Sequence, residues 1–311
     1  MCPWRQNVEE IIMKMKKLGI VVFLVAIAVT MGSASATTIN VNSGMSNTDI
    51  QNYITGATAG DTINFAPGTY TGTYLTTTKS LNFVGNGAVL VGDGSHNVLT
   101  ISSTTGTNIT GFVVNVNGLK NGITGQYVYN CRIENNTIRN GGDAINIYKQ
   151  YGSLTINNNT INNMSTSYGD GISLVNCLNA ETSTSTTVTN NVIDDTDYGI
   201  FLGGYFKGTV TGNTLTNIGA TGMNITGKNA ATTGNLYANI TNNDITSNGI
   251  GISMENPDVV YLNLTGNTVS SGSDSLHKGY YYYRDPSIQL INDPDDNDYN
   301  NVWDPLTSNG H

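Results

Sequence analysis

Six segments of this sequence repeat one pattern, apolar-x-(Asn/Gly)-Asn-x-apolar: 133–138, 156–161, 188–193, 210–215, 240–245 and 264–269. Their central asparagines are Asn136, Asn159, Asn191, Asn213, Asn243 and Asn267, spaced 23, 32, 22, 30 and 24 residues apart. The basic period is therefore 22–24 residues, with two inserts of about seven to ten. A repeat this short cannot bury an apolar face alone and must stack on its neighbours. Each repeat also carries a second apolar–polar alternation after a glycine-containing corner, as in Ala144–Ile147, Gly171–Leu174, Gly199–Leu202, Gly222–Ile225 and Gly251–Met254. Period-two alternation marks a strand with one buried face. Rungs stacked about 4.8 Å apart would then pair every backbone group with the rung above and below.

The asparagines have a structural reading. Asn tolerates left-handed turns, and amides stacked at equivalent corners can bond one another as a ladder. The fold expected is all-β, a right-handed parallel β-helix (a solenoid) over residues 37–275. Within it the rungs before Cys131 are less regular, at Val89–Val91, Val98–Ile101 and Ile109–Val116, after strands at Asp61–Phe65 and Leu81–Val84. A solenoid exposes its core at its ends. Thr48–Thr55 offers Thr48 as a helix N-cap, then Ile50, Tyr53 and Ile54 on one face, and predicts a short capping helix. At the other end, residues 276–311 are read as a Tyr-rich cap (Tyr280–Tyr283) and an acidic tail.

Residues 1–36 read as a signal peptide. Lys14, Lys16 and Lys17 precede the apolar run Leu18–Val29, and Ala34-Ser35-Ala36 is a small-residue cleavage pattern. The start of translation is expected at Met13 or Met15. The apolar run is too short to span a bilayer comfortably, so the mature chain is expected to lack a transmembrane domain and to be secreted or held at the cell surface. Cleavage removes four of 13 basic and two of 22 acidic residues, leaving a net charge of about −11. Nucleic acid and anionic membranes are excluded as natural partners by that charge. Cations and polysaccharides or cell-wall glycans remain. Cys131 and Cys177 fall at different places in their repeats and are expected to be separate thiols.

The stretch from Asp49 to Gly72, followed by Lys79-Ser-Leu-Asn-Phe-Val-Gly-Asn-Gly87, resembles the opening of pectate-lyase-like right-handed β-helix proteins. The later Asn-Asn-x-Ile and Gly-Ile repeats resemble NosD-type repeats and the adhesin-like surface proteins of methanogenic archaea. The resemblance covers roughly residues 40–275 and implies fold. It does not imply one activity, because such folds host lyases, hydrolases, esterases and non-catalytic adhesins.

Little catalytic machinery is visible. Hydrolases of this kind share Gly-His-Gly and Arg-x-Lys motifs, and neither is present. The pair Asp194-Asp195 reads as a turn or solvated surface, because adjacent strand residues point to opposite faces. β-Elimination needs a base, for which Lys149, Lys207 and Lys228 are the weak candidates. The variable-length segments all leave one corner, after the second strand. That loop edge carries Tyr151, Tyr205, Phe206 and Tyr237, whose rings suit sugar stacking. In the tail, Asp293, Asp295, Asn297 and Asp304 fall at calcium-loop spacing, so Ca2+ binding stands beside a solvated acidic tail as a reading. Seven Asn-x-Ser/Thr sequons (Asn108, Asn135, Asn158, Asn163, Asn224, Asn239 and Asn263) arise largely by repetition. The leading functional expectation is an exported, non-catalytic, adhesin-like β-helix contacting polysaccharide through its loop edge. The alternatives are a polysaccharide lyase or epimerase acting on acidic glycans, and a structural spacer.

Overall fold

The computed structural model describes residues 35–164, 169–175, 185–226, 228–229, 232–233, 235–255, 258–272, 276–278, 289–291 and 298–299. The chain divides into two units, Met1–Ala36 and Thr37–His311. Among its described residues the second unit is a solenoid of parallel strands with one helix and one antiparallel pair, Lys228–Asn229 with Thr232–Thr233.

Three in-register columns of side chains form the core. One runs Ile63, Phe83, Ile109, Ile133, Ile156, Val188, Val210, Ile240, Leu264. A second runs Tyr70, Leu90, Val114, Ile138, Ile161, Ile193, Leu215, Ile245, Val269. The third runs Leu75, Leu99, Ile123, Ile145, Ile172, Ile200, Met223, Ile252. Every member is buried. Burying one such side chain is worth about 1.5–3 kcal/mol, so the columns supply the main drive for stacking. Cys131 pairs with Leu154 in the inward phase and is buried; Cys177 lies outside the described residues.

The repeated asparagines turn one corner as a buried ladder. Oδ1 of Asn159, Asn191, Asn213, Asn243 and Asn267 each accepts from the backbone N and from Nδ2 of the ladder asparagine one rung earlier, at 2.9–3.1 Å. Each Nδ2 also donates to a strand carbonyl of the earlier rung, at 2.8–3.1 Å. The left-handed turn itself falls one residue before: Asn135, Asn158, Asn190, Gly212, Asn242 and Gly266 all have φ between 53° and 65°. The two consecutive positions therefore do different work. The first bends the chain and the second satisfies buried polar groups.

The N-terminal helix, α1, spans Asn47–Gly56. Its N-cap is Ser46 and not Thr48. Ser46 Oγ accepts from Asp49 N and Asp49 Oδ2 accepts from Ser46 N, a reciprocal box that the Ser-x-x-Asp spacing dictates. Ile50 and Ile54 are buried, one turn apart, whereas Tyr53 is 45% exposed because it falls off that stripe. Lys79 Nζ donates to the carbonyls of Thr55 and Ala57, placing a cation at the helix C-terminus. Ser46→Ala is expected to cost about 1 kcal/mol, read as a lower urea midpoint at unchanged slope.

Parallel pairing continues past residue 275. Leu276–Lys278 pairs with Ile252–Met254, Gln289–Ile291 with Tyr261–Asn263, and Asp298–Tyr299 with Thr268–Val269. Tyr280–Tyr283 lie outside the described residues.

Candidate functional site

The corner that carries the inserts is a bent strand in its first two rungs. Ile123–Glu134 and Ile145–Asn157 each run through it as one continuous strand. Tyr127, Asn130, Lys149 and Gly152 bend them with φ between 50° and 73°. Left-handed geometry at a tyrosine and a lysine is uncommon and costs about 1–3 kcal/mol each. It turns both side chains outward. Tyr129 and Tyr151, register partners, stack at 4.9 Å between centroids with a 15° interplanar angle, and Tyr127 lies 6.4 Å from Tyr151 at 10°. Lys149 Nζ sits 3.2 Å from the Tyr127 hydroxyl and 5.1 Å from the ring centroids of both Tyr127 and Tyr148. The Tyr127 hydroxyl holds the Lys149 ammonium above its ordinary pKa. Lys149 is therefore a cation at neutral pH and poorly suited to act as a base.

Lys207 is exposed and pairs in register with Tyr237, which is 38% exposed. Tyr205 is half-buried. Phe206, expected on the exposed edge, is instead 1% exposed: it takes the inward phase of Phe206–Thr211 and joins the core, so it cannot stack on a sugar. Lys228 lies in the short antiparallel ribbon. Asp293, Asp295, Asn297 and Asp304 fall outside the described residues. Among the described residues no group of three His, Cys, Asp or Glu side chains is placed to hold a metal ion. The Asp194-Asp195 pair divides between strand and turn: Asp194 ends the strand Val192–Asp194, its Oδ1 accepting from Thr216 Oγ1 and Asn217 Nδ2 of the next rung, both at 2.7 Å, and Asp195 takes the turn at φ 55°.

A second cluster stands at the opposite end of the third-column strands. There a column of side-chain oxygens accepts backbone N–H groups from the following rung. Asn97 Oδ1 takes Asn121 N at 3.0 Å, Asn121 Oδ1 takes Asp143 N at 3.0 Å, and Asp143 Oδ1 takes Asp170 N at 3.1 Å. The Asp170 carboxyl is pushed up to about 7, first by burial, then by the charges of Asp143 and Asp197, against a lowering hydrogen bond from Ser173. A carboxyl that gives up its proton near neutrality suits acid–base chemistry.

The right handed beta helix region family matches residues 69–236, more than half of the chain. The chain belongs to this right-handed β-helix family. No curated protein matches it. Among solved structures it is similar to an alginate lyase from a Paenibacillus species, at 17% identity and TM-score 0.43, over 78% of this chain and 98% of that one. It is also similar to endopolygalacturonase I from Stereum purpureum complexed with two galacturonate, at 17% identity and TM-score 0.39, over 78% and 93%. A mannuronan C-5 epimerase A-module from Azotobacter vinelandii is similar at 14% identity and TM-score 0.33, over 81% and 91%.

Within this right-handed β-helix, rung alignment locates residues that the sequence pattern misses. Asp143 and Asp170 stand two positions before Ile145 and Ile172, where Asn97 and Asn121 stand before Leu99 and Ile123. Aligning on those apolar residues exposes the column; aligning on the ladder asparagines does not. Tyr127 and Tyr129 precede the first regular Asn-Asn turn and only join Tyr151 through register. No helix of the described residues is long and apolar enough to cross a membrane.

Proposed function

We propose that this right-handed β-helix is an exported, adhesin-like scaffold that contacts polysaccharide through its tyrosine corner without turning it over. The observation that carries this reading is the distribution of exposed rings. Among the described residues, five of the seven exposed large hydrophobic side chains are tyrosines, and Tyr127, Tyr129 and Tyr237 share the corner with Tyr151 and Tyr205. Amphipathic rings beside the cations Lys149 and Lys207 suit a sugar polymer carrying carboxylates. The triple replacement of Tyr127, Tyr129 and Tyr151 by alanine is expected to weaken binding on a glycan array at least tenfold while leaving the circular dichroism spectrum intact. Unchanged binding would refute the corner as the contact surface. Absence of any glycan binding by the native chain would leave the spacer reading in its place.

One observation favours a second reading, a polysaccharide lyase or epimerase: Asp170 holds a proton near neutral pH beside two further carboxylates. Incubation with a uronan panel, followed by absorbance of unsaturated products and by NMR for inverted C-5 centres, separates this from binding alone.

A further inference from the structure

Six of the seven sequons are closed by the fold, and one is open. Asn108, Asn224, Asn239 and Asn263 lie in paired strands and are half-buried. Asn158 and Asn163 lie in exposed turns, but their amide nitrogens are used: Asn158 Nδ2 donates to Asn135 Oδ1 at 2.7 Å, and Asn163 Nδ2 to Asn140 Oδ1 at 2.6 Å. Asn135 is different. It is exposed in a left-handed turn, φ 57°, and its Oδ1 accepts from Asn158. At the equivalent position the rung before it offers no side chain to receive its own amide. Phe112 N bonds Asn136 Oδ1 as ladder residues do, which puts Gly111 (φ 78°) in the position equivalent to Asn135. The outer amide stack therefore begins at Asn135, whose equivalent in the preceding rung is a glycine.

We propose that Asn135 is the N-linked sugar acceptor of the folded chain, its co-substrate being a sugar activated as a nucleoside diphosphate. In that step a bond forms between Asn135 Nδ2 and the anomeric carbon, the bond from that carbon to the diphosphate breaks, and Nδ2 gives up one proton as the nucleoside diphosphate leaves. The acceptor hydroxyl residue of the sequon is Thr137, half-buried at the start of the next strand. Position 135 also admits a clean substitution. Gly111, Gly212 and Gly266 occupy it in other rungs, so Asn135→Gly keeps the turn. That variant also removes the acceptor of Asn158 Nδ2 and moves the open end of the stack one rung on.

The test treats the folded full chain with a soluble asparagine glucosyltransferase and UDP-glucose, then maps hexose-bearing peptides by mass spectrometry. A urea-unfolded sample, diluted into the same reaction, reports which sequons the transferase accepts without the fold. Hexose on Asn135 alone in the folded chain, moving to Asn158 in Asn135→Gly, is the expected result. Hexose on Asn158 or Asn163 of the folded native chain would overturn the proposal, as would a bare Asn135 in a chain whose unfolded form is modified there.

Discussion

Asn191→Leu is expected to unfold much of the solenoid at a denaturant concentration where the native chain is intact. Asn191 Oδ1 is the acceptor for both the backbone N and Nδ2 of Asn159, and Asn191 itself is fully buried. Leucine fills a similar volume and accepts nothing. Two buried N–H groups lose their acceptor, at about 1–3 kcal/mol each, and the carbonyl of Ile156 loses the amide donor it now shares. Against a domain stability of about 5–15 kcal/mol this is a large fraction. Asn191→Asp sharpens the point. It keeps the acceptor but sets a carboxylate oxygen against Ile156 O and Asn213 Oδ1, so it should be worse at neutral pH than in acid, where a protonated carboxyl can donate once. Asn158→Gly is the contrast: an exposed residue at φ 53° whose loss should cost under about 1 kcal/mol. Equal urea midpoints for Asn191→Leu and Asn158→Gly would show that the ladder is incidental to stability.

That contrast also marks what the sequence conveys. The ladder is legible because one asparagine per rung recurs at fixed distance from an apolar pair, and parallel in-register stacking turns sequence period into spatial contact. Cys131 as core follows from the same phase. Other readings fail where a residue leaves that period. Phe206 follows a glycine pair and reads as loop, but the strand Phe206–Thr211 begins with it, and parity sends its ring inward. Thr48 stands nearer the apolar stripe than Ser46 and reads as the N-cap, although only Ser46 has an acidic residue three positions on. The Asp170 cluster is hidden for a different reason. Its chemistry comes from three residues, Asp143, Asp170 and Asp197, that are 27 apart in sequence and meet only through stacking. A carboxyl's environment is a property of the assembled rungs and leaves no local motif.

Asp170→Asn should make the folded chain more stable at pH 8 and should flatten its pH dependence between about 4 and 7. In the native chain Asp170 is protonated when folded up to about 7, whereas its ordinary value is 3.8. Below both values the group is protonated folded or unfolded and contributes no pH dependence. As pH rises through the interval, the unfolded state ionises and gains while the folded state holds its proton, so stability falls, by on the order of 4 kcal/mol in all; above about 7 it levels off. Asp61 works in the opposite sense. Its carboxylate accepts four hydrogen bonds from Thr37 and Thr58, which hold it below the usual carboxylate range. That contribution is present above the ordinary carboxylate value and is lost as pH falls through the lowered one. Taken together, these two groups stabilise the fold most near the ordinary carboxylate value they share, at about pH 4. Thermal melts of the native chain and Asp170→Asn from pH 3 to 9 test this; parallel curves would show that Asp170 is ionised in the fold. The asparagines at positions 97 and 121 show that the column itself is served by a neutral amide. A carboxyl at 170 therefore carries a stability cost at neutral pH that the rung does not require. If the same substitution that stabilises the chain also abolishes turnover of a uronan, the cost is explained by proton transfer. If it leaves glycan binding through the tyrosine corner unchanged and no turnover is found in either protein, the carboxyl serves only to tune the chain to acid surroundings, and the adhesin reading stands.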